Sequence, residues 1–299
     1  MATIYGSSGS DRLVGTSGND VIYGYGGNDD LIGGNGYNDY FGGNGADWFL
    51  MSGRSAGRFS DDYIHDFTFG ADKVDVSAWG VSDFSQIDAL LRADSNGDAV
   101  LNAFYGGSDH YLSIEGVSPG QLIASDFVYS GGGARTMTGT SSADVLFGSA
   151  SGDRISGGNG ADILLGGAGG DRINGGSGSD DLFGGTGRDI LTGGSGEDAF
   201  VFTQLADSRT GSNRDVITDF QPDIDFIDLG DLDANAFAGG NQGFNWRGDA
   251  GFSGNAGDLR YSWSGGNTII SADTNGDRAA DFQIELTGLY DLKSYDFVL

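Results

Sequence analysis

Glycine, aspartate and apolar residues recur along much of the chain with a period of nine, as G-x-x-G-x-D-x-U-x with U apolar. The pattern fills two blocks without a gap, five units over residues 6–50 and seven over residues 139–201. Eighth positions hold Leu13, Ile22, Leu31, Tyr40 and Phe49 in the first block. In the second they hold Leu146, Ile155, Leu164, Ile173, Leu182, Leu191 and Phe200. All are apolar, which makes them candidates for a narrow core, while the glycines supply the positive φ angles of tight turns. Sixth positions hold Asp11, Asp20, Asp29, Asn38 and Asp47, then Asp144, Asp153, Asp162, Asp171, Asp180, Asp189 and Asp198. A register kept over 45 and then 63 consecutive residues is no accident of glycine-rich sequence.

These units resemble the RTX calcium-binding nonapeptide repeat. The resemblance implies an all-β protein of two tandem right-handed parallel β-rolls, in which x-U-x is a short strand, the glycine-rich stretch a turn, and successive strands fall on opposite sheets. It also implies Ca²⁺ between the turns of units n and n+2, held by both sixth-position carboxylates and by main-chain carbonyls, the hard oxygen ligands calcium takes. Five and seven units then allow about three and about five ions, on the order of eight in all. Asn38, being uncharged, is expected to weaken the site it shares with Asp20.

Outward-facing positions seven and nine can be compared between odd and even units. In the second block odd units show Val145/Phe147, Ile163/Leu165, Asp181/Phe183 and Ala199/Val201, and even units Arg154/Ser156, Arg172/Asn174 and Ile190/Thr192. One face is expected to be covered and the other wet. The first block is apolar at position nine throughout, with Val14, Tyr23, Ile32, Phe41 and Leu50, so both of its faces call for a cover.

Behind each block the sequence repeats again. Residues 61–80 match residues 214–233 at a constant offset of 153 through Asp62/Asp215, Asp66/Asp219, Phe67/Phe220, Asp72/Asp225 and Asp75/Asp228. Both copies close alike, at Ser125-Asp126-Phe127-Val128 and at Tyr295-Asp296-Phe297-Val298-Leu299. The expected organisation is a roll plus β-rich cap over residues 1–130, a glycine-rich linker over 131–136, and a second roll plus cap over 137–299. The caps resemble the C-terminal domain of serralysin-type proteases and the R-modules of alginate epimerases. In the second cap, Asp273, Asn275, Asp277 and Asp281 have the spacing of an EF-hand-like loop. Arg278 stands where that loop needs glycine, and Ile284 occupies its twelfth position, so these four are candidate ligands for a further Ca²⁺. A weaker candidate is Asp94-Ser95-Asn96-Gly97-Asp98, with Asn102.

Composition narrows the partners. The formal net charge is −28, and of the 43 acidic residues only Glu115, Glu197 and Glu285 are glutamates. Aspartate suits tight turns and short-armed metal ligation. Such a charge repels nucleic acid and anionic membranes and attracts divalent cations. With no cysteine, disulfides and Cys-based zinc sites are excluded. No apolar run approaches the roughly 20 residues of a membrane span, and Met1 to Tyr5 does not read as a signal peptide. The terminal Asp-Phe-Val-Leu resembles the tail of proteins exported by bacterial type I secretion machinery. A secreted protein at the outside of a bacterial cell is the expectation, unfolded by aspartate repulsion where calcium is scarce and folded where it is millimolar.

Catalytic residues are hard to find. The two histidines are His65, read as an exposed strand residue, and His110, read as part of a turn. The chain has no HExxH, and its literal G-x-S-x-G, Gly53-Arg54-Ser55-Ala56-Gly57, has no strand-turn-helix setting. The reading is therefore not an enzyme but a self-contained structural or adhesive protein, with self-association head to tail through the bare start of a roll. Alternatives are a calcium-dependent module pair that grips polysaccharide, through Ca²⁺ or Arg154, Arg172 and Arg188, and the accessory tail of a secreted hydrolase.

Overall fold

The computed structural model describes residues 1–54 and 57–299. The chain divides into two compact units, one of Met1–Gly132 with Ala143–Phe147 and one of Gly133–Ser142 with Gly148–Leu299.

In the first unit, strands Ala2–Tyr5, Asp20–Tyr23, Gly36–Phe41 and Ser60–Ile64 lie in order in one sheet, and Arg12–Val14, Asp30–Ile32, Trp48–Leu50 and Lys73–Asp75 in the other. Within the repeats, paired residues are 18 apart, as in Ala2↔Asp20↔Asn38 and Arg12↔Asp30↔Trp48. Every pairing among these strands is parallel, so consecutive units alternate between sheets and form a β-roll. The second unit repeats the arrangement with Thr136–Thr138, Arg154–Asn159, Arg172–Ser177, Ile190–Ser195 and Asp215–Ile217 in one sheet. Ile163–Leu165, Asp181–Phe183, Ala199–Val201 and Phe226–Asp228 follow in its other sheet. Strands Ala2–Tyr5 and Thr136–Thr138 show that each roll begins one strand before its first full repeat.

All twelve eighth-position side chains are buried, most of them completely. A single inward residue per unit therefore fills the core, and at about 25 cal/mol per Å² of apolar surface buried, each contributes roughly 1.5–3 kcal/mol. The outer faces of the second roll follow the expected division only in part: Leu165 and Ala199 are buried and Arg154, Arg172 and Asn174 exposed, but Asp181 is exposed too, and Ile163, Phe183, Val201, Ser156, Ile190 and Thr192 are half-buried. On the first roll the aromatic side chains of one face cover one another. Tyr5, Tyr23, Tyr25, Phe41 and His65 stack nearly parallel, with Tyr23–Phe41 and Phe41–His65 centroids 4.8 and 4.5 Å apart. Tyr5 and Tyr25 of this stack remain exposed, so the face is covered only in part.

The caps extend the rolls and then depart from them. His110–Ile114 pairs parallel with Ser60–Ile64 and antiparallel with Ala99–Asn102. Phe282–Leu286 pairs parallel with Asp215–Ile217 and antiparallel with Asn267–Asp273. One α-helix, Phe84–Leu90, is N-capped by Asp83, whose carboxylate accepts the Ser85 and Gln86 N–H groups. Phe127–Val128 and Phe297–Val298 close the second sheet of their units alike, by pairing with Lys73–Asp75 and Phe226–Asp228.

Candidate metal centre: two ladders of buried aspartates

Each sixth-position Asp lies at the end of a turn, just before its strand, and its side chain turns inward. Asp20, Asp29, Asp47, Asp144, Asp153, Asp162, Asp171, Asp180, Asp189 and Asp198 are all buried, as is Asn38, while Asp11 at the start is half-buried. Neighbours on the same side of a roll are linked in one direction. The backbone N–H of Asp11 donates to Asp29 Oδ1 at 2.8 Å, and that of Asp29 to Asp47 Oδ1 at 2.9 Å. The same link joins Asp153 to Asp171, Asp171 to Asp189, Asp162 to Asp180 and Asp180 to Asp198. Sixth-position residues 18 apart are thus brought together.

The other oxygen of most of these carboxylates has nothing to bind. Oδ2 of Asp29, Asp47, Asp171, Asp180, Asp189 and Asp198 is buried without a hydrogen-bond partner. Leaving an ionised carboxylate in that state is costly. Burial accordingly pushes the pKa of Asp171 up to about 7, of Asp189 to about 8, and of Asp47 and Asp198 to about 6. Main-chain oxygens face the same places. A Cβ on Gly157 would lie 2.3 Å from Asp162 Oδ2 and 2.6 Å from the Gly175 carbonyl oxygen, and one on Gly175 would lie 2.4 and 2.6 Å from Asp180 Oδ2 and the Gly193 oxygen. Carboxylate and carbonyl oxygens with no donor between them are the donor set of a calcium site. These residues fit the ion that the repeat implies. Among the described residues, no group of three or more His, Asp or Glu side chains gathers as a metal cluster. Two carboxylates and several carbonyls per rung do not require one.

Both ladders run on beyond the repeats, into residues that the nine-residue pattern does not contain. Asp47 N–H donates to Asp72 Oδ1, Asp189 N–H to Asp215 Oδ1, and Asp198 N–H to Asp225 Oδ1. Asp215 is fully buried with Oδ2 bare, and burial, then the Asp189 charge, pushes it up to about 9. The constant offset of 153 between the caps already pairs Asp62 with Asp215 and Asp72 with Asp225. It is the signal that identifies them. Asp66 and Asp219 close the stacks differently, each accepting from two successive glycine N–H groups, Gly42 and Gly43 or Gly193 and Gly194, all at 2.9 Å.

The starts of the rolls differ from their middles. Where the second residue of a unit is Ser or Thr, its hydroxyl caps the Asp of its own unit. Ser7 Oγ donates to Asp11 at 2.8 Å, Thr16 Oγ1 to Asp20 at 2.8 Å and Ser149 Oγ to Asp153 at 3.3 Å. Burial works to raise Asp20, but hydrogen bonds from Thr16 and from the Ala2 N–H hold it below the ordinary value. At Asn38 the ladder changes chemistry. Its Nδ2 donates to Asp62 Oδ1 at 2.9 Å, and its Oδ1 has no partner.

In the second cap, Asp273, Asn275, Asp277 and Asp281 do share one loop. Asp273 accepts from the N–H groups of Gly276 (2.6 Å) and Arg278 (2.9 Å), Asp281 from Thr274 and the Asn275 side chain, and Asp277 from Ala279. Arg278 adopts φ +71°, the left-handed conformation that glycine would supply at that place. In the first cap, Asp94 accepts from Asn96 and Asp98 N–H groups, and Asn102 lies in a strand.

Neither histidine is as expected. His65 is half-buried and bridges two carboxylates, Asp39 through Nε2 at 2.9 Å and Glu115 through Nδ1 at 2.7 Å. His110 is fully buried at the start of a strand, with Nδ1 3.2 Å from Ser60 Oγ, and burial lowers it to about 4. In both cases cap strands that no single-sequence pattern pairs, Ser60–Ile64 and His110–Ile114, make the enclosure. Ser55 and Ala56 of the G-x-S-x-G lie outside the described residues.

Comparison with protein families matches residues 5–40 to the RTX calcium-binding nonapeptide repeat and residues 153–299 to the peptidase M10 serralysin C-terminal model. A search of curated proteins gives no match. Among solved structures, the AlgE6R3 subunit of the Azotobacter vinelandii mannuronan C5-epimerase is 26% identical, with 57% of this chain and 81% of that chain covered at a TM-score of 0.30. The AlgE6R2 subunit of the same enzyme is 26% identical over 55% and 91%, at 0.29. Extracellular lipase LipA from Serratia marcescens is 15% identical over 99% and 40%, at 0.28.

Proposed function

Because the chain carries RTX calcium-binding nonapeptide repeats and a serralysin-type C-terminal domain, we propose that it is a secreted protein that calcium folds outside the cell, with a non-enzymatic, structural or adhesive role. The carrying observation is the series of buried Oδ2 atoms without hydrogen-bond partners at Asp29, Asp47, Asp171, Asp180, Asp189, Asp198 and Asp215. Asp29, Asp47, Asp162, Asp171, Asp180, Asp189, Asp198 and Asp215 are the residues that would hold the ions, with turn carbonyls completing each site. When bound, Ca²⁺ supplies the positive charge that these carboxylates lack. The chain's own contribution is to line the oxygens up: the N–H to Oδ1 link fixes one oxygen of each Asp and thereby aims the other. Folding and binding are then one process, since the ladder does not exist in the unfolded chain. The cap loop Asp273–Asp281 is a further candidate, its left-handed Arg278 supporting an EF-hand-like course.

Circular dichroism of the full chain in millimolar calcium and in EDTA tests this reading. β structure is expected with calcium and its loss without; a spectrum and melting curve indifferent to EDTA would refute it. Self-association head to tail extends the proposal, and concentration-dependent light scattering in calcium is its measurement.

One observation favours a second reading, the binding of an anionic polysaccharide. Arg154 and Arg172 are exposed and directly paired on neighbouring parallel strands. Like charges so placed repel each other unless an anion lies between them.

A further inference from the structure

The rung that joins the first roll to its cap differs from the others. Asn38 stands at its sixth position, and Tyr40 is the only one of the twelve core residues that carries a hydroxyl. Tyr40 is completely buried. Its hydroxyl accepts the Gly33 N–H at 2.9 Å and donates to Asp62 Oδ1 at 3.0 Å, the oxygen that also receives Asn38 Nδ2. The same amide nitrogen reaches the Gly34 and Gly36 carbonyls at 3.3 and 3.5 Å. A Cβ on Gly33 would lie 2.3 Å from the Tyr40 hydroxyl and 2.6 Å from Asn38 Nδ2, at the place where the Gly157 and Gly175 turns present a carboxylate and a carbonyl. Donors have replaced acceptors there.

We propose that this turn takes no cation, and that Asn38, Tyr40 and Asp62 fasten the first roll to its cap by hydrogen bonds alone. The inference rests on the calcium reading of the other turns. An ion between Asn38 and Asp62 would face an N–H₂ group and a hydroxyl proton, both repulsive to it, and the carbonyls it needs are approached by the amide. What stays bare is Asp62 Oδ2 and Asn38 Oδ1, one carboxylate oxygen and one neutral oxygen against the two carboxylates of a regular rung. On the other side of Asn38, Asp20 is held by Thr16, so this edge of the first roll is closed from Asp20 to Asp62.

The experiment counts calcium per chain by plasma mass spectrometry after gel filtration in calcium, for the wild type, Asp62→Asn, Tyr40→Phe and Asn38→Asp/Tyr40→Phe. Asp62→Asn and Tyr40→Phe are expected to keep the wild-type count, and the double variant, which restores the consensus pair, to gain one ion. Loss of an ion in Asp62→Asn or in Tyr40→Phe would overturn the proposal. Hydrogen exchange over residues 33–41 adds a readout that does not depend on the count: Tyr40→Phe should speed it about fivefold or more in calcium, and unchanged exchange would also overturn the lock. A wild-type chain that binds no calcium at all would instead refute the calcium reading, leaving the exchange result to judge the lock.

Discussion

The two rolls are built alike and finished differently. In the second, a bare Oδ2 stands at Asp171, Asp180, Asp189, Asp198 and Asp215, so both of its stacks of turns carry unsatisfied charge into the cap. In the first, the stack of Asp29 and Asp47 is of this kind, and the opposite stack leaves a bare carboxylate oxygen at Asp62 alone among the described residues. The opposite stack is closed by Thr16 at Asp20 and by the Asn38–Tyr40–Asp62 cluster. The difference teaches that an RTX-like unit has two ways to settle its buried aspartate, a cation or a side-chain donor. A few residues per turn choose between them.

The largest expected effect is on the metal-free protein. Asp171, Asp189 and Asp215 are raised to about 7, 8 and 9 from 3.8. A raised carboxylate contributes stability that is complete below its unfolded value and is lost as the pH rises through the folded one. In EDTA the second unit, which protonation lets fold without calcium near pH 5, should therefore lose on the order of several kcal/mol and unfold as the pH rises to 9. The first unit, where Asp62 reaches about 7 and Asp47 about 6, should lose less. Hydrogen exchange corrected for intrinsic rates resolves the two units in one chain, and equal losses would break the comparison.

A smaller effect tests the turn itself. Gly176 has φ +114°, and a Cβ there would lie 2.2 Å from the Gly158 carbonyl oxygen. Gly176→Ala should cost about 3 kcal/mol or more, read as a lowered calcium-loaded melting midpoint. Thr16 occupies the same second position in the first roll without a positive φ. Thr16→Ala, by contrast, is expected to cost only about 1 kcal/mol.

The smallest effect belongs to His65. Burial works to lower it, but the hydrogen bonds that its ring donates to Asp39 and Glu115 prevail and raise it above 6.5. Its contribution is full below pH 6.5 and fades as the pH rises through the raised value. His65→Gln should cost about 0.5–1 kcal/mol at pH 6, since the carboxylates are partly exposed, and still less at pH 9, by thermal melting. The counterpart Thr218 bonds the Thr192 hydroxyl at 2.7 Å and the Leu191 carbonyl at 3.2 Å, neither of them titratable, so the second unit should show no matching pH effect.

Much of this is legible in the sequence. The eighth and sixth positions name the core and the ladder residue by residue, because a roll repeats one local solution and no distant partner has to be guessed. Asn38 is visible as the odd member, but the role of Tyr40 is not: a core tyrosine reads as apolar until its hydroxyl is placed between Gly33 and Asp62. Asp215 and Asp225 lie on segments that have lost their glycines, so only the duplication marks them. His65 and His110 escape a sequence reading because their surroundings are distant along the chain: Asp39 lies 26 and Glu115 50 residues from His65, and Ser60 50 from His110.

The N–H to Oδ1 link between aspartates 18 residues apart carries a consequence for descent. It ties each unit to its second neighbour and ignores the first, so the smallest change of length that leaves every contact in kind is two units. A gene that gained or lost 54 bases, corresponding to the 18-residue step, would still encode a sound roll. One that slipped by 27 would exchange the stacks, setting Arg154-type faces where Val145-type faces belong. Rolls of this kind should therefore vary among descendants in even steps, and their odd unit, where one survives, dates from the founding of the roll.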